Sequence, residues 1–255
     1  MRNEQTWQPY LYSLITIACT FLIGQIILWF TPDNADPWSS VLFIFMNLLP
    51  LLMAFAFTWI SGEISGVGQF VKEAFTLREA WYAYAAALAV PFVYYGVSTA
   101  LGNVTFTGAS LGAALAYFPW ALLQGGLEEV GWRWYLQQRL GPQKSFVLKL
   151  LILSLIWFVW HFPIYRLPWI TAGSSNYVIS YLMILGNTFT LGAVKEFSRG
   201  SVPCILSHML INTGAVLMLV GSDLPRVALL AGVEMLVSLL AVSLFKSKHR
   251  KRCLT

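Results

Sequence analysis

Between Ala80 and Leu127 the chain carries no charged residue. A run of that length has no way to present a polar face to water. A helix needs about 20 apolar residues to cross the hydrocarbon core of a bilayer, so this stretch is long enough to cross twice. The polar sequence Gly102-Asn103-Val104-Thr105-Phe106-Thr107-Gly108 divides it at a point suited to a turn. The rest of the chain agrees. Only 11% of the 255 residues are charged and 58% are hydrophobic, against about 25% charged in soluble domains. The expected fold is therefore all-α: a polytopic membrane protein forming one integral domain over residues 1–255.

Charge-free runs bounded by turn residues place eight spans near 9–30, 40–60, 81–101, 111–137, 147–168, 177–197, 201–221 and 226–245. The first run lacks a small-residue cleavage site before Thr31 and reads as a retained helix rather than a removable signal. The segment Ser61–Glu79 is too polar to span. Its second half, Phe70 to Arg78, reads as an interfacial amphipathic helix, with an ordinary loop as the alternative. Basic residues set the orientation. Fourteen of the 16 fall in one set of connections, containing Arg2, Lys72, Arg78, Arg133, Arg139, Lys144, Lys149, Lys195, Arg199 and the tail Lys246, Lys248, Arg250, Lys251 and Arg252. The opposite set holds only Arg166 and Arg226, together with the acidic loop from Asp33 to Asp36. Both termini are expected in the cytoplasm, which an even number of spans allows, and the plasma membrane is the expected location.

The net charge of +5 does not point to nucleic acid, because the tail at 246–255 concentrates the basic residues where they would anchor a last span at an anionic leaflet. Cys19, Cys204 and Cys253 are scattered without metal-ligand spacing, and Cys253 stands one place too late for a prenylation box.

Against this apolar background, Glu128, Glu129 and Arg133 stand inside the fourth span. A charge near the bilayer centre costs roughly 2.5 kcal/mol or more, so an ionisable residue there is a functional hypothesis by default. His161 lies in the fifth span, and His208 with Asn212 in the seventh. Counted at about 1.5 Å per residue from the cytoplasmic helix ends, Glu128, His161, His208 and Asn212 lie roughly 16, 18, 11 and 17 Å deep. Residues from three helices thus share one layer. Glu129 and Arg133 are four apart with the acid first, the favourable order for a helical ion pair. Glu128 is turned about 100° away, which leaves it free to react while Glu129 serves structure. His208 and Asn212 share a face. Trp157, one turn before His161, would wall its ring, and Pro163 should loosen the helix and free backbone carbonyls. The bland alternative is a buried ion pair and two helix-packing histidines. Glu234, in the last span, has no assigned role beyond partnering a neighbouring helix.

Glu-Glu-x-x-x-Arg, aromatic-x-x-x-His and His-x-x-x-Asn, each on its own helix, form a pattern that resembles the CPBP family. That family comprises CAAX prenyl proteases of the second type and bacteriocin-processing or Abi proteins. Here the elements read Glu128-Glu129-Val130-Gly131-Trp132-Arg133, Trp157-Phe158-Val159-Trp160-His161 and His208-Met209-Leu210-Ile211-Asn212, and the resemblance covers about 110–220. Trp157 replaces the usual Phe, and Trp134 stands where relatives often carry Gly. The resemblance implies an intramembrane endopeptidase acting on a membrane-associated peptide or protein. Glu128 would activate water, His161 would assist proton transfer, His208 and Asn212 would stabilise the oxyanion, and Glu129 with Arg133 would support the site. The family is commonly labelled metalloprotease, although a metal-free glutamate mechanism is also argued for it. A zinc ion held by Glu128, His161 and His208 matches some catalytic zinc sites, but no His-Glu-x-x-His motif is present. The cofactor is left open. Two other functions compete: a non-catalytic immunity or scaffold protein, whose site variants would keep full function, and a proton-coupled transporter, which would show gradient-dependent flux. The chain lacks the internal repeat common in transporters.

Overall fold

The computed structural model describes residues 7–31, 33, 36–141, 144–170 and 176–252, the last five as helical backbone only. Arg2, part of the acidic 33–36 loop, Cys253 and the side chains of the basic tail beyond Ser247 lie outside the described residues. The elements run α1 Gln8–Phe30, α2 Pro37–Ile60, α3 Val67–Ala74, α4 Trp81–Ala100, β1 Val104–Phe106, α5 Leu111–Ala121, two π-helical segments Leu122–Gly126 and Val130–Gln137, α6 Phe146–Tyr165, α7 Tyr177–Phe197, α8 Val202–Leu217, β2 Met218–Val220 and α9 Leu224–Arg252.

Among the described residues, six helices are long and apolar enough to cross a membrane: α1, α2, α4, α6, α7 and the Leu224–Ser247 part of α9. The chain is an integral membrane protein. Its helix starts follow local chemistry. Ser110, Ser145 and Asn176 each accept a hydrogen bond from a backbone N–H in the first turn of α5, α6 and α7. Several hydroxyl residues inside the spans are satisfied within their own helix. Thr16, Thr20, Thr58, Ser98 and Thr188 each donate to the carbonyl four residues back at 2.7–2.8 Å, which removes the cost of a bare hydroxyl in hydrocarbon. Trp7, Trp29, Trp38, Trp59 and Trp81 are exposed at or beside helix ends, as interfacial aromatic anchors should be. Helix α7 is the central post. Of its most apolar window 61% is buried, against 33–39% for the other five spans. The groups at matching depth therefore gather around it.

Three sequence expectations are revised. The fourth span is not one helix from 111 to 137. It breaks at Gln124 (φ −100°, ψ 40°) and Gly125 (φ +147°), and π-helical turns lie on either side of the two glutamates. Gly125 adopts a backbone conformation that a Cβ strongly disfavours, so hydropathy alone could not reveal the break. The seventh span stops at Leu217, earlier than expected. There Thr107 donates its N–H to the Leu217 carbonyl at 3.0 Å and its hydroxyl to Val216 at 2.6 Å. The chain then pairs as a short antiparallel ribbon, with Val104 opposite Val220 and Phe106 opposite Met218. This adds a small β element to the expected all-α fold.

The amphipathic helix runs Val67–Ala74 rather than continuing to Arg78. Its last carbonyl, on Ala74, is taken by the N–H and hydroxyl of Ser201 at 2.8 and 2.6 Å, and the chain leaves the helix there. The Glu79 carboxylate then accepts from the backbone of Arg199 and Gly200 at 2.6–3.0 Å. Buried Lys195 donates to the carbonyls of Ser198, Arg199 and Gly200. These contacts lock the α7–α8 turn and set the height of α8. Glu234 meets a neighbouring helix, as expected, but forms no ion pair among the described residues. It is wholly buried with no hydrogen-bond partner on either oxygen among the described residues, and it packs against Gly186 of α7.

Gly131 is where the glutamate-bearing segment docks on α1 and α2. A Cβ there would meet the Pro50 carbonyl oxygen at 2.5 Å and its carbon at 2.6 Å, and it would also collide with the Tyr12 hydroxyl. Tyr12 itself donates to that carbonyl at 2.9 Å. Overpacking against backbone costs about 1–3 kcal/mol. Gly131→Ala should lower the Tm of the detergent-purified protein by several degrees. Gly232→Ala, where the added Cβ meets nothing within 4 Å, should leave it unchanged.

Candidate active site

The break at Gln124–Gly125 brings the backbone against α8. A Cβ on Gly125 would lie 2.6 Å from Asn212 Nδ2 and 2.8 Å from His208 Nε2, so only glycine lets these side chains approach. Asn212 Nδ2 donates to the Gln124 carbonyl at 2.9 Å. A carbonyl only accepts, so this contact orients the Asn212 amide and leaves its second N–H available.

The three charges of the fourth span are arranged around His208. Arg133 Nε lies 2.8 Å from Glu129 Oε2, as the spacing predicts. Glu129 Oε1 in turn takes His208 Nδ1 at 2.8 Å. Glu128 Oε1 stands 3.8 Å from the other imidazole nitrogen, Nε2. The two adjacent glutamates therefore reach opposite nitrogens of one ring, although their side chains leave the helix in different directions. With His208 as imidazolium, two negative and two positive groups balance. This is the condition for keeping four ionisable groups, each at most 9% exposed, in a membrane interior.

Glu128 stays unpaired with Arg133 but is oriented by hydrogen bonds. Its Oε2 accepts from Trp132 Nε1 at 2.9 Å and from Trp157 Nε1 at 3.1 Å. Trp132 follows one turn after Glu128, so the motif supplies its own orienting donor. Trp157 does more than wall His161. Its N–H holds Glu128, its ring lies 4.9 Å beneath the Arg133 guanidinium, and its edge contacts His208 and His161 at centroid distances of 5.7 and 5.4 Å. Neither Arg133 Nη atom has a hydrogen-bond partner among the described residues, so the ring face is a principal neighbour of that charge.

His161 Nδ1 is 2.7 Å from the Trp157 carbonyl. That nitrogen must carry the proton, which leaves Nε2 as the acceptor in a neutral ring. Tyr165 stacks on the ring at 5.5 Å and 23°. Pro163 leaves the Val159 carbonyl without its usual donor, but α6 continues through it to Tyr165. Tyr95, which spacing did not single out, donates to the Ile211 carbonyl at 2.6 Å and fixes α4 against the His208–Asn212 face.

Glu128, His161, His208 and Asn212 all line one cavity of about 320 Å³, with Gln124 and Trp157 in its wall. Glu129 and Arg133 lie behind it, wholly buried. Among the described residues, no three His, Cys, Asp or Glu side chains converge closely enough to hold a metal ion. Glu128, His161 and His208 as arranged do not form the three-ligand set considered from the sequence. What the cavity lining offers is a carboxylate oxygen, an imidazole acceptor and N–H donors.

Gly125→Ala tests the close approach that builds this wall. It should displace His208 and Asn212 and abolish function, while the protein still inserts and migrates as a single species in size-exclusion chromatography.

No curated protein matches the chain significantly. Residues 110–214 match the family model described as Type II CAAX prenyl endopeptidase Rce1-like. That stretch contains every residue of the three motifs from Glu128 to Asn212. The match covers less than half of the chain, which over that stretch is similar to these endopeptidases.

Proposed function

We propose that the chain is an intramembrane endopeptidase that hydrolyses peptide bonds of a membrane-associated peptide or protein, using water activated by Glu128. The observation that carries this reading is the convergence of Glu128, His161, His208 and Asn212 from separate helices on one cavity. Glu128 Oε2 is occupied by two indole N–H groups, so Oε1 is the oxygen left to take a proton from water. The resulting hydroxide adds to the scissile carbonyl. The His208 Nε2–H and the free N–H of Asn212 donate to the oxyanion. Fixed donors in a dry site stabilise such charge more than water does, because they need no reorganisation. His208 can donate through Nε2 only as an imidazolium, since Nδ1–H is committed to Glu129. Glu129 and Arg133 thus act as positioning residues. His161 Nε2 takes up the proton that Glu128 removed from water and passes it to the leaving amine as the C–N bond breaks, which returns Glu128 to its carboxylate.

The chain acts as a single membrane domain in the plasma membrane with both termini in the cytoplasm. The bias of basic residues toward one set of connections, thirteen against two once the buried Arg133 is left out, supports that orientation. Reporter fusions at the two ends should both be active only with a cytoplasm-dependent reporter; activity of a periplasm-dependent or exterior-dependent reporter at either end would contradict it.

The catalytic reading is tested with a quenched-fluorescent farnesyl-CAAX peptide and with comparative proteomics of membranes. Glu128→Gln should lower turnover by about 100-fold or more without changing expression or monodispersity. The expected activity survives 1,10-phenanthroline. Retained cleavage in Glu128→Gln refutes the role of Glu128, and loss with chelator, restored by zinc, refutes the side-chain-only mechanism.

A further inference from the structure

Gln124 lies in the cavity wall, but its side chain has no part in the hydrolysis described above. It is the last residue before the Gly125 break and lines the same space as Glu128, His208 and Asn212. Its side-chain oxygen accepts from Trp120 Nε1 at 2.9 Å and from the Tyr117 hydroxyl. An indole nitrogen can only donate, so the atom it touches is the amide oxygen and the orientation of the amide follows. The NH2 group is then the other terminal atom. It has no hydrogen-bond partner among the described residues, yet it is not among the polar atoms buried without a partner. The backbone carbonyl of the same residue holds Asn212. One residue therefore orients an oxyanion donor through its main chain and carries two unused N–H donors on its side chain.

A peptide entering this cavity brings one carbonyl per residue and leaves water behind. Each carbonyl without a donor carries a desolvation cost. The wall is otherwise largely aromatic and aliphatic, with Phe43, Tyr94, Trp160 and Ile184 contributing to it. We infer that Gln124 is a substrate-binding residue whose side-chain NH2 donates to a backbone carbonyl of the peptide close to the scissile bond. The inference rests on the proposed peptidase function. The class of ligand group is a main-chain amide, so the contact selects an extended conformation and register rather than a side-chain sequence. Trp120 and Tyr117 are positioning residues for it, since they hold the oxygen and so leave the NH2 as the uncommitted end of the amide.

The experiment uses the full chain in proteoliposomes and quenched-fluorescent farnesyl-CAAX peptides in which one backbone amide at a time is replaced by an ester. With the all-amide peptide, Gln124→Met should raise KM about five- to tenfold, the loss expected for one neutral hydrogen bond. Its kcat should stay within about twofold, because the contact is made equally in ground and transition states. Trp120→Phe, at a partly lipid-exposed position, should raise KM about two- to threefold by letting the amide rotate. At one ester position, the KM penalty seen with wild type should vanish in Gln124→Met, since only groups in contact behave non-additively. A purely structural role for Gln124 would leave every ester penalty unchanged. Wild-type turnover with an unaltered KM in Gln124→Met, or with equal ester penalties in both proteins at all positions, overturns the Gln124 contact alone. Wild-type turnover no greater than that of Glu128→Ala overturns the peptidase reading and this inference with it.

Discussion

Glu129 is wholly buried and holds Arg133 through one oxygen and His208 through the other, each at 2.8 Å. This bridge joins the broken fourth span to α8. Removing one partner of a buried pair leaves an uncompensated charge, at a cost of about 3–5 kcal/mol. The rest of the site is built on its geometry. With Nδ1 of His208 committed, Nε2 faces the cavity and Glu128. With Nε of the guanidinium committed, its carbon lies 4.9 Å over the Trp157 ring, whose N–H then holds Glu128. One ion pair thereby fixes the position of the carboxylate proposed to act on water.

Such a bridge needs backbones closer than ordinary helix packing permits, and three glycines provide this at separate contacts. Gly125 admits His208 and Asn212, Gly126 lies against Met209 and Ile205 of α8, and Gly131 admits Tyr12 and Pro50. The π-helical turns on both sides of Glu128 belong to the same solution. A π turn inserts a residue into the helical register and re-aims the side chains next to it, and such turns recur at functional sites. Here they let two consecutive glutamates address one imidazole from two sides. The polar anchors at the α7–α8 turn, Glu79 and Lys195, hold the other end of α8 so that the ring is presented at the right height.

Tryptophan has two roles in this protein. At the helix ends it lies exposed, where an amphipathic ring suits the headgroup region. At positions 132 and 157 it is buried and serves as a hydrogen-bond donor to a carboxylate. An indole N–H is suited to this in a dry site, because it orients an acid without adding a competing charge. Trp120 does the same for Gln124 from a partly exposed position.

Long uncharged runs were sufficient to read the chain as a helical membrane protein, because backbone groups in hydrocarbon have no partner except their own helix. The positions of Glu128, Glu129, Arg133, His161, His208 and Asn212 were legible because charge and imidazole are conspicuous where they are costly, and helical spacing already paired Glu129 with Arg133. The sequence by itself determined the class of fold, the residues of the polar layer and the ion pair within one helix, all of which depend on local periodicity. Only the tertiary structure decided what those residues touch. The glycine-led break at 124–125, the ribbon that shortens α8, the early end of α3 at Ser201, the indole clamp on Glu128 and the orientation of Gln124 all depend on groups distant in the chain. A residue's preference for helix says nothing about which neighbour will claim its carbonyl or its proton.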